Sequence, residues 1–127
     1  MYSMRDPQSS EEISDILARL VGRTVAEFSV LGINSLKSVT PAPTALAGTE
    51  IVGTSVRDRI LELRTQAYLV QIDLQRAGRL IWFDTPPSAA AGTASRPTVR
   101  LLTQNGDGID FAEPAKTKRI SVHISKA

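Results

Sequence analysis

Cysteine is absent from this chain. Disulfides, thiolate metal sites and cysteine nucleophiles are therefore excluded. Histidine occurs once, at His123. It alternates with Ile120, Val122 and Ile124, which directs it to a polar strand face rather than to catalysis. Aromatic residues make up only 5% of the chain, so aliphatic side chains must form most of the core. No stretch approaches the ~18 apolar residues of a membrane span. The first residues lack the basic flank and apolar run of a signal peptide. The expected location is the cytoplasm.

Chemical motifs are equally scarce. There is no G-x-S-x-G nucleophile elbow. Neither phosphate-binding glycine pattern, G-x-x-x-x-G-K-[ST] or G-x-G-x-x-G, occurs. Gly106 and Gly108 are explained by a hairpin turn. Asp107, Asp110 and Glu113 lie close in sequence, but a calcium loop needs glycine at its sixth position. Counted from Asn105, that position is Asp110. No metal, no cofactor and no catalytic residue is assigned.

What is present fits one domain over residues 1–127. The hydrophobic share of 42% and charged share of 22% are ordinary for a globular protein. Net charge is +2, unevenly spread. Residues 1–22 carry two arginines against four acids, and residues 23–50 balance. Residues 51–84 carry five arginines against four acids, and residues 85–127 carry six basic groups against three acids. The basic second half suits an anionic partner. The mild overall balance argues against a dedicated nucleic-acid-binding domain.

Along the chain, residues 1–8 form a polar lead-in, expected to be disordered. Ser9 or Ser10 caps a helix over 10–21, with Glu11, Glu12 and Asp15 in its first turns and Gly22 as its stop. Thr24–Leu31 alternates as a strand, and Ser35–Val39 reads as a shorter one. Residues 40–48 and 85–97, rich in Pro, Ala and small residues, are expected to be mobile loops.

The segment 55–77 is ambiguous. Ser55-Val56-Arg57-Asp58 has the form of a capping box, and Ile60, Leu63, Ala67, Val70 and Leu74 share one helical stripe. No Gly or Pro interrupts 54–77, and Gly78 sits where a helix would end. A strand reading competes, because Tyr68, Val70, Ile72 and Leu74 alternate. That alternation slips phase at Leu61 and Leu63. The helix is the favoured reading.

Leu80–Phe83, Val99–Leu102, Ile109–Phe111 and Ile120–Ile124 read as strands, with a turn at Asn105-Gly106-Asp107-Gly108. The expected fold is α+β: a mainly antiparallel sheet of about five to six strands. An N-terminal helix and one long helix over 55–77 pack on one face. The opening helix followed by Gly22-Arg23-Thr24-Val25 is similar to the start of Sm-like proteins. The segment 55–78 does not continue that pattern, and no family is assigned.

Two basic regions are the candidate ligand-binding sites. Arg57 and Arg59 would hold an anion at a helix N-terminus. Arg100, Lys116, Lys118 and Arg119 form the second group, where a phosphate or acidic peptide would dock. Salt-bridged or solvated surface charge is the competing reading of both. Three functions follow in order. The first is a non-catalytic assembly or protein-interaction domain, homo-oligomeric, resting on the apolar 60–74 stripe. The second is a binding module for a small anionic ligand such as a nucleotide. The third is a small enzyme using carboxylates. Stacking aromatics are scarce, so nucleic acid is not expected as a partner.

Overall fold

The computed structural model describes residues 8–32, 35–37, 42–86, 97–113 and 119–127. Residues 1–7 of the expected lead-in 1–8, most of the 85–97 loop, Val39, and Lys116 and Lys118 lie outside the described residues.

One α-helix opens the described chain, α1 (Ser10–Ala18). Ser9 accepts from the Glu12 N–H at 3.1 Å and the Glu12 carboxylate accepts from the Ser9 N–H at 3.2 Å, a reciprocal capping box. Ile13 and Leu17 bury the apolar stripe of the helix. It ends three residues before the expected Val21. Gly22, at φ +90°, then turns the chain where a residue with a Cβ would be strained.

Eight strands follow: β1 (Val25–Val30), β2 (Ile51–Arg57), β3 (Ile60–Thr65), β4 (Tyr68–Asp73), β5 (Arg79–Phe83), β6 (Val99–Thr103), β7 (Gly108–Ala112) and β8 (Ser121–Lys126). They form two antiparallel sheets, β1-β6-β7-β5 and β2-β3-β4-β8. Between β1 and β2 a short 3-10 helix (Pro43–Leu46) buries Leu46. Leu36 makes an isolated parallel bridge to Val122. No helix among the described residues is long and apolar enough to cross a membrane.

The single sheet of five to six strands with a long helix is therefore wrong. Residues 55–77 contain no helix; they are the end of β2, all of β3 and β4, and the turns between them. The physical reason lies in the turns. β2 and β3 pair with Arg57 opposite Ile60, leaving only Asp58 and Arg59 to turn. β3 and β4 pair with Arg64 opposite Leu69. Gln66 and Ala67 make that second turn, where the Thr65 hydroxyl accepts the Tyr68 N–H at 2.9 Å. Across a two-residue turn, paired residues have opposite parity. The inward set thus switches from Val56 to Leu61 and Leu63, then to Val70 and Ile72. The phase slip in the sequence is a pair of hairpins.

The inner faces of the two sheets and α1 share one core. Phe28, Leu101, Ile109 and Phe111 come from one sheet, Leu61, Leu63, Ile72 and Val122 from the other, and Ile13 and Leu17 from the helix. Outward positions are mixed: polar residues such as Arg57, Gln71 and His123 are exposed there, and so are Ile60 and Ile81. Gly108 is required by close approach. A Cβ there would collide with the Leu101 carbonyl and stand 2.8 Å from Phe83 Cζ.

Candidate functional site

The candidate cations come from separate segments of the chain, so strand order decides which of them meet. Arg57 closes β2 and is exposed on the outer face of its sheet. Next to it, Asp58 turns the chain at φ +55°. The Arg59 side chain crosses to the connection between β4 and β5. Its Nε donates to the Gln75 carbonyl at 2.5 Å, and its Nη2 donates to the Gly78 carbonyl. In return the Leu74 N–H donates to the Arg59 carbonyl at 2.9 Å. The β2–β3 turn and the 74–78 connection are thereby fastened together.

That connection exposes Arg76. Gln75 adopts φ +57°, and its N–H donates to Asp73 Oδ1 at 2.9 Å. Gly78 packs closely here: a Cβ would stand 2.6 Å from the Leu74 carbonyl and 3.1 Å from Ile120 Cδ1. Ile120 thus brings the start of β8, and with it exposed Arg119, to the same end. Buried Glu113 holds this approach. Its Oε1 accepts from the Arg119 and Ile120 N–H groups at 2.6 and 3.0 Å, and its Oε2 accepts from Thr98 Oγ1 at 2.9 Å. The start of α1 reaches the same end, where Ser10 Oγ donates to the Asp58 carbonyl at 3.2 Å. The Gln8 side chain pairs with both backbone groups of Leu80, at 2.8 and 2.9 Å.

One end of the sandwich therefore gathers Arg57, Arg59, Arg76, Arg119 and half-buried Arg79, the first residue of β5. Its carboxylates Glu12, Asp73 and Glu113 each accept backbone N–H bonds. Glu11, Glu12 and Asp58 are exposed. The structure thus joins Arg57, Arg59 and Arg119 from the two expected basic regions. It adds Arg76, which belongs to neither expected region. No helix starts at residues 55–58, so the expected one does not supply an anion site; the helix N-terminus that reaches this end is that of α1, capped by its own Ser9 and Glu12.

Arg100 stands apart on the outer face of the first sheet. Its Nε and Nη2 grip both Asp110 oxygens at 2.6 and 2.8 Å, and the guanidinium lies 5.5 Å from the Phe83 ring centre. The hydrogen bond to Asp110 raises its pKa above the ordinary arginine value. Burial opposes that rise, and the charges of Asp110 and Glu27 add to it. Gripping Asp110 in bidentate fashion across two paired strands, Arg100 serves the sheet.

His123 is exposed on the outer face of the second sheet, opposite Gln71. Gln71 Nε2 and Ser55 Oγ donate to the two oxygens of Glu62 at 3.1 and 3.3 Å. A shallow depression of about 360 Å³ lies over this row, edged by Arg57 and Ile60. No cluster of metal-ligating side chains occurs among the described residues.

The larger aromatics sit at the opposite end of the strands. Tyr68 begins β4, and Trp82 and Phe83 end β5. Trp82 has Arg19 and Arg23 each 5.4 Å from its ring centre, and its Nε1 donates to Asp84 at 3.1 Å.

No protein-family model matches the sequence, and no curated protein matches it. Solved structures do match. The fold is shared with a DNA glycosylase of Lactococcus lactis. Formamidopyrimidine-DNA glycosylase bound non-covalently to DNA containing an AP site superposes with a TM-score of 0.72 at 15% identity, covering 93% of this chain and 44% of that one. Its complex with DNA containing FAPY-dG gives 0.68 at 15% identity, covering 90% and 41%. A point mutant with the same lesion gives 0.71 at 15% identity, covering 94% and 42%. The likeness establishes the fold. The chain spans less than half the length of these structures.

Proposed function

We propose that this chain binds DNA through its basic end. The observation that carries the reading is the convergence there of Arg57, Arg76 and Arg119. They come from the end of β2, the β4–β5 connection and the approach to β8, and expose their side chains to solvent. The fold adds support, since the solved structures that share it were determined with DNA.

This reading replaces the expectation of a homo-oligomeric assembly or protein-interaction domain, and that of nucleic acid as an excluded partner. The solved DNA complexes that share the fold overturn both. The assembly idea rested on an apolar helical stripe at 60–74. Leu63, Val70 and Leu74 of that stripe are instead core residues. The small-anion module loses the helix expected over 55–77, and Glu62, the carboxylate of the shallow depression, is hydrogen-bonded at both oxygens. The scarcity of stacking aromatics, which argued against nucleic acid, bears only on recognition of unpaired bases.

Fluorescence anisotropy with a labelled duplex at low salt tests the proposal. The intact protein should bind, and the triple substitution Arg57→Ala, Arg76→Ala, Arg119→Ala should weaken binding about tenfold or more. No binding by the intact protein at low salt would sink the idea. So would equal affinity of the triple variant.

A further inference from the structure

We infer that the basic end grips the sugar–phosphate backbone and leaves the bases unread. This rests on the DNA-binding reading above and narrows its ligand to the phosphate chain. Three arrangements carry it.

The first is the tip of the β2–β3 hairpin. A two-stranded ribbon fits the major groove and reads base edges with side-chain donors. Here the tip residues are Asp58 and Arg59. Asp58 carries an exposed carboxylate, which flanking phosphates repel. Arg59 turns its guanidinium back onto Gln75 and Gly78 of its own chain. The two turn residues themselves therefore present no free guanidinium to a groove.

The second is the separation of Arg57, Arg76 and Arg119 from Tyr68, Trp82 and Phe83. Unpaired bases are held by stacking on exposed rings. Among the described residues, Tyr68, Trp82 and Phe83 lie at the far end of the strands. Trp82 is already occupied by Arg19, Arg23 and Asp84. No described ring can stack on a base held by Arg57, Arg76 or Arg119.

The third is the chemistry of those three residues. Each is exposed, and among the described residues none has a hydrogen-bonded or ion-paired side-chain partner. A free guanidinium on a turn matches a phosphate in bidentate fashion. Such contacts fix position and carry no sequence information.

The experiment compares strands of one length by anisotropy across a salt series. They are two duplexes of unrelated sequence, a single strand, and a single strand of tetrahydrofuran abasic units that keeps every phosphate and lacks every base. The two duplexes should agree within about twofold, and the base-free strand should bind within about twofold of the ordinary single strand. One lost stacked base would cost roughly five- to 150-fold, so the two outcomes are well separated. Alanine at each of Arg57, Arg76 and Arg119 should shallow the duplex salt slope by about 0.9. Urea midpoints check that the variants fold. A base-free strand bound more than about tenfold more weakly would overturn the inference and leave DNA binding standing. Unchanged slopes in all three variants would overturn it too. Failure to bind any strand would remove the DNA-binding reading itself, and this inference with it.

Discussion

Replacing Arg59 by alanine cuts the fastening between the β2–β3 turn and the 74–78 connection. Two hydrogen bonds from a charged group to carbonyls are lost, those to Gln75 and Gly78. Such bonds contribute roughly 1.5–3 kcal/mol each when well shielded. These lie at the open end of the sandwich, where water can replace the guanidinium, so about 1 kcal/mol each is expected, or about 2 kcal/mol together. For a domain of this size, that corresponds to a fall in melting temperature of roughly 6–10 °C. Arg59→Lys keeps the charge but cannot span two carbonyls, so it should recover about half of the loss. Arg57→Ala, one turn residue away and exposed, should stay within about 0.5 kcal/mol of the parent. Urea denaturation of the four proteins, fitted with a common slope, gives the ranking. If Arg59→Ala unfolds at the same midpoint as Arg57→Ala, the two turns are not joined by this side chain. The shared end that presents Arg57 beside Arg76 would then need another explanation.

The hairpin reading of 55–77 makes an opposite pair of forecasts at neighbouring positions. Leu61 is fully buried and Ile60 is 43% exposed; Leu61→Ala should cost about 2–5 kcal/mol and Ile60→Ala under about 1 kcal/mol. A helix with Ile60 on its apolar stripe would reverse that order in the same urea series. Gly108→Ala should destabilise by about 3 kcal/mol or more, because its Cβ meets the Leu101 carbonyl and the Phe83 ring. Gly106→Ala, in open space at φ +91°, should cost only about 1 kcal/mol; thermal melts that fail to separate the two would refute the close approach of β6 and β7.

Much of the secondary structure was legible because its signals were local. The Ser9–Glu12 capping box, the alternation of Val99–Thr103 and the Asn105-Gly106 turn all act within a few residues. The 55–77 segment misled because its turns lack the residues that usually announce them. Asp58 and Gln75 take positive φ where glycine or asparagine is the familiar choice. Two short hairpins in succession also imitate a helix. Inward residues Val56, Leu63 and Val70 recur every seven positions, the repeat of a helical stripe. A sequence pattern cannot separate the two cases unless the turns are recognised first.

The candidate site was less legible than the elements, for a topological reason. Arg57 and Arg59 are neighbours in sequence, so any reading keeps them together. Arg76 joins them only because β3 and β4 bring residues 60 and 73 opposite each other. Arg119 joins only because β8 adds to the free edge of β4, setting Ser121 against Asp73. Charge counting over the chain averages these positions with acids that fold elsewhere or turn inward, as Glu113 does onto the N–H groups of Arg119 and Ile120. A net charge of +2 therefore says little about an end where exposed guanidinium groups project while several carboxylates are tied to backbone. The same topology sends Trp82 and Tyr68 to the other end of their strands. The separation of Arg57, Arg76 and Arg119 from these rings, from which backbone-only recognition is inferred, is thus a property of strand order, which no window of sequence contains.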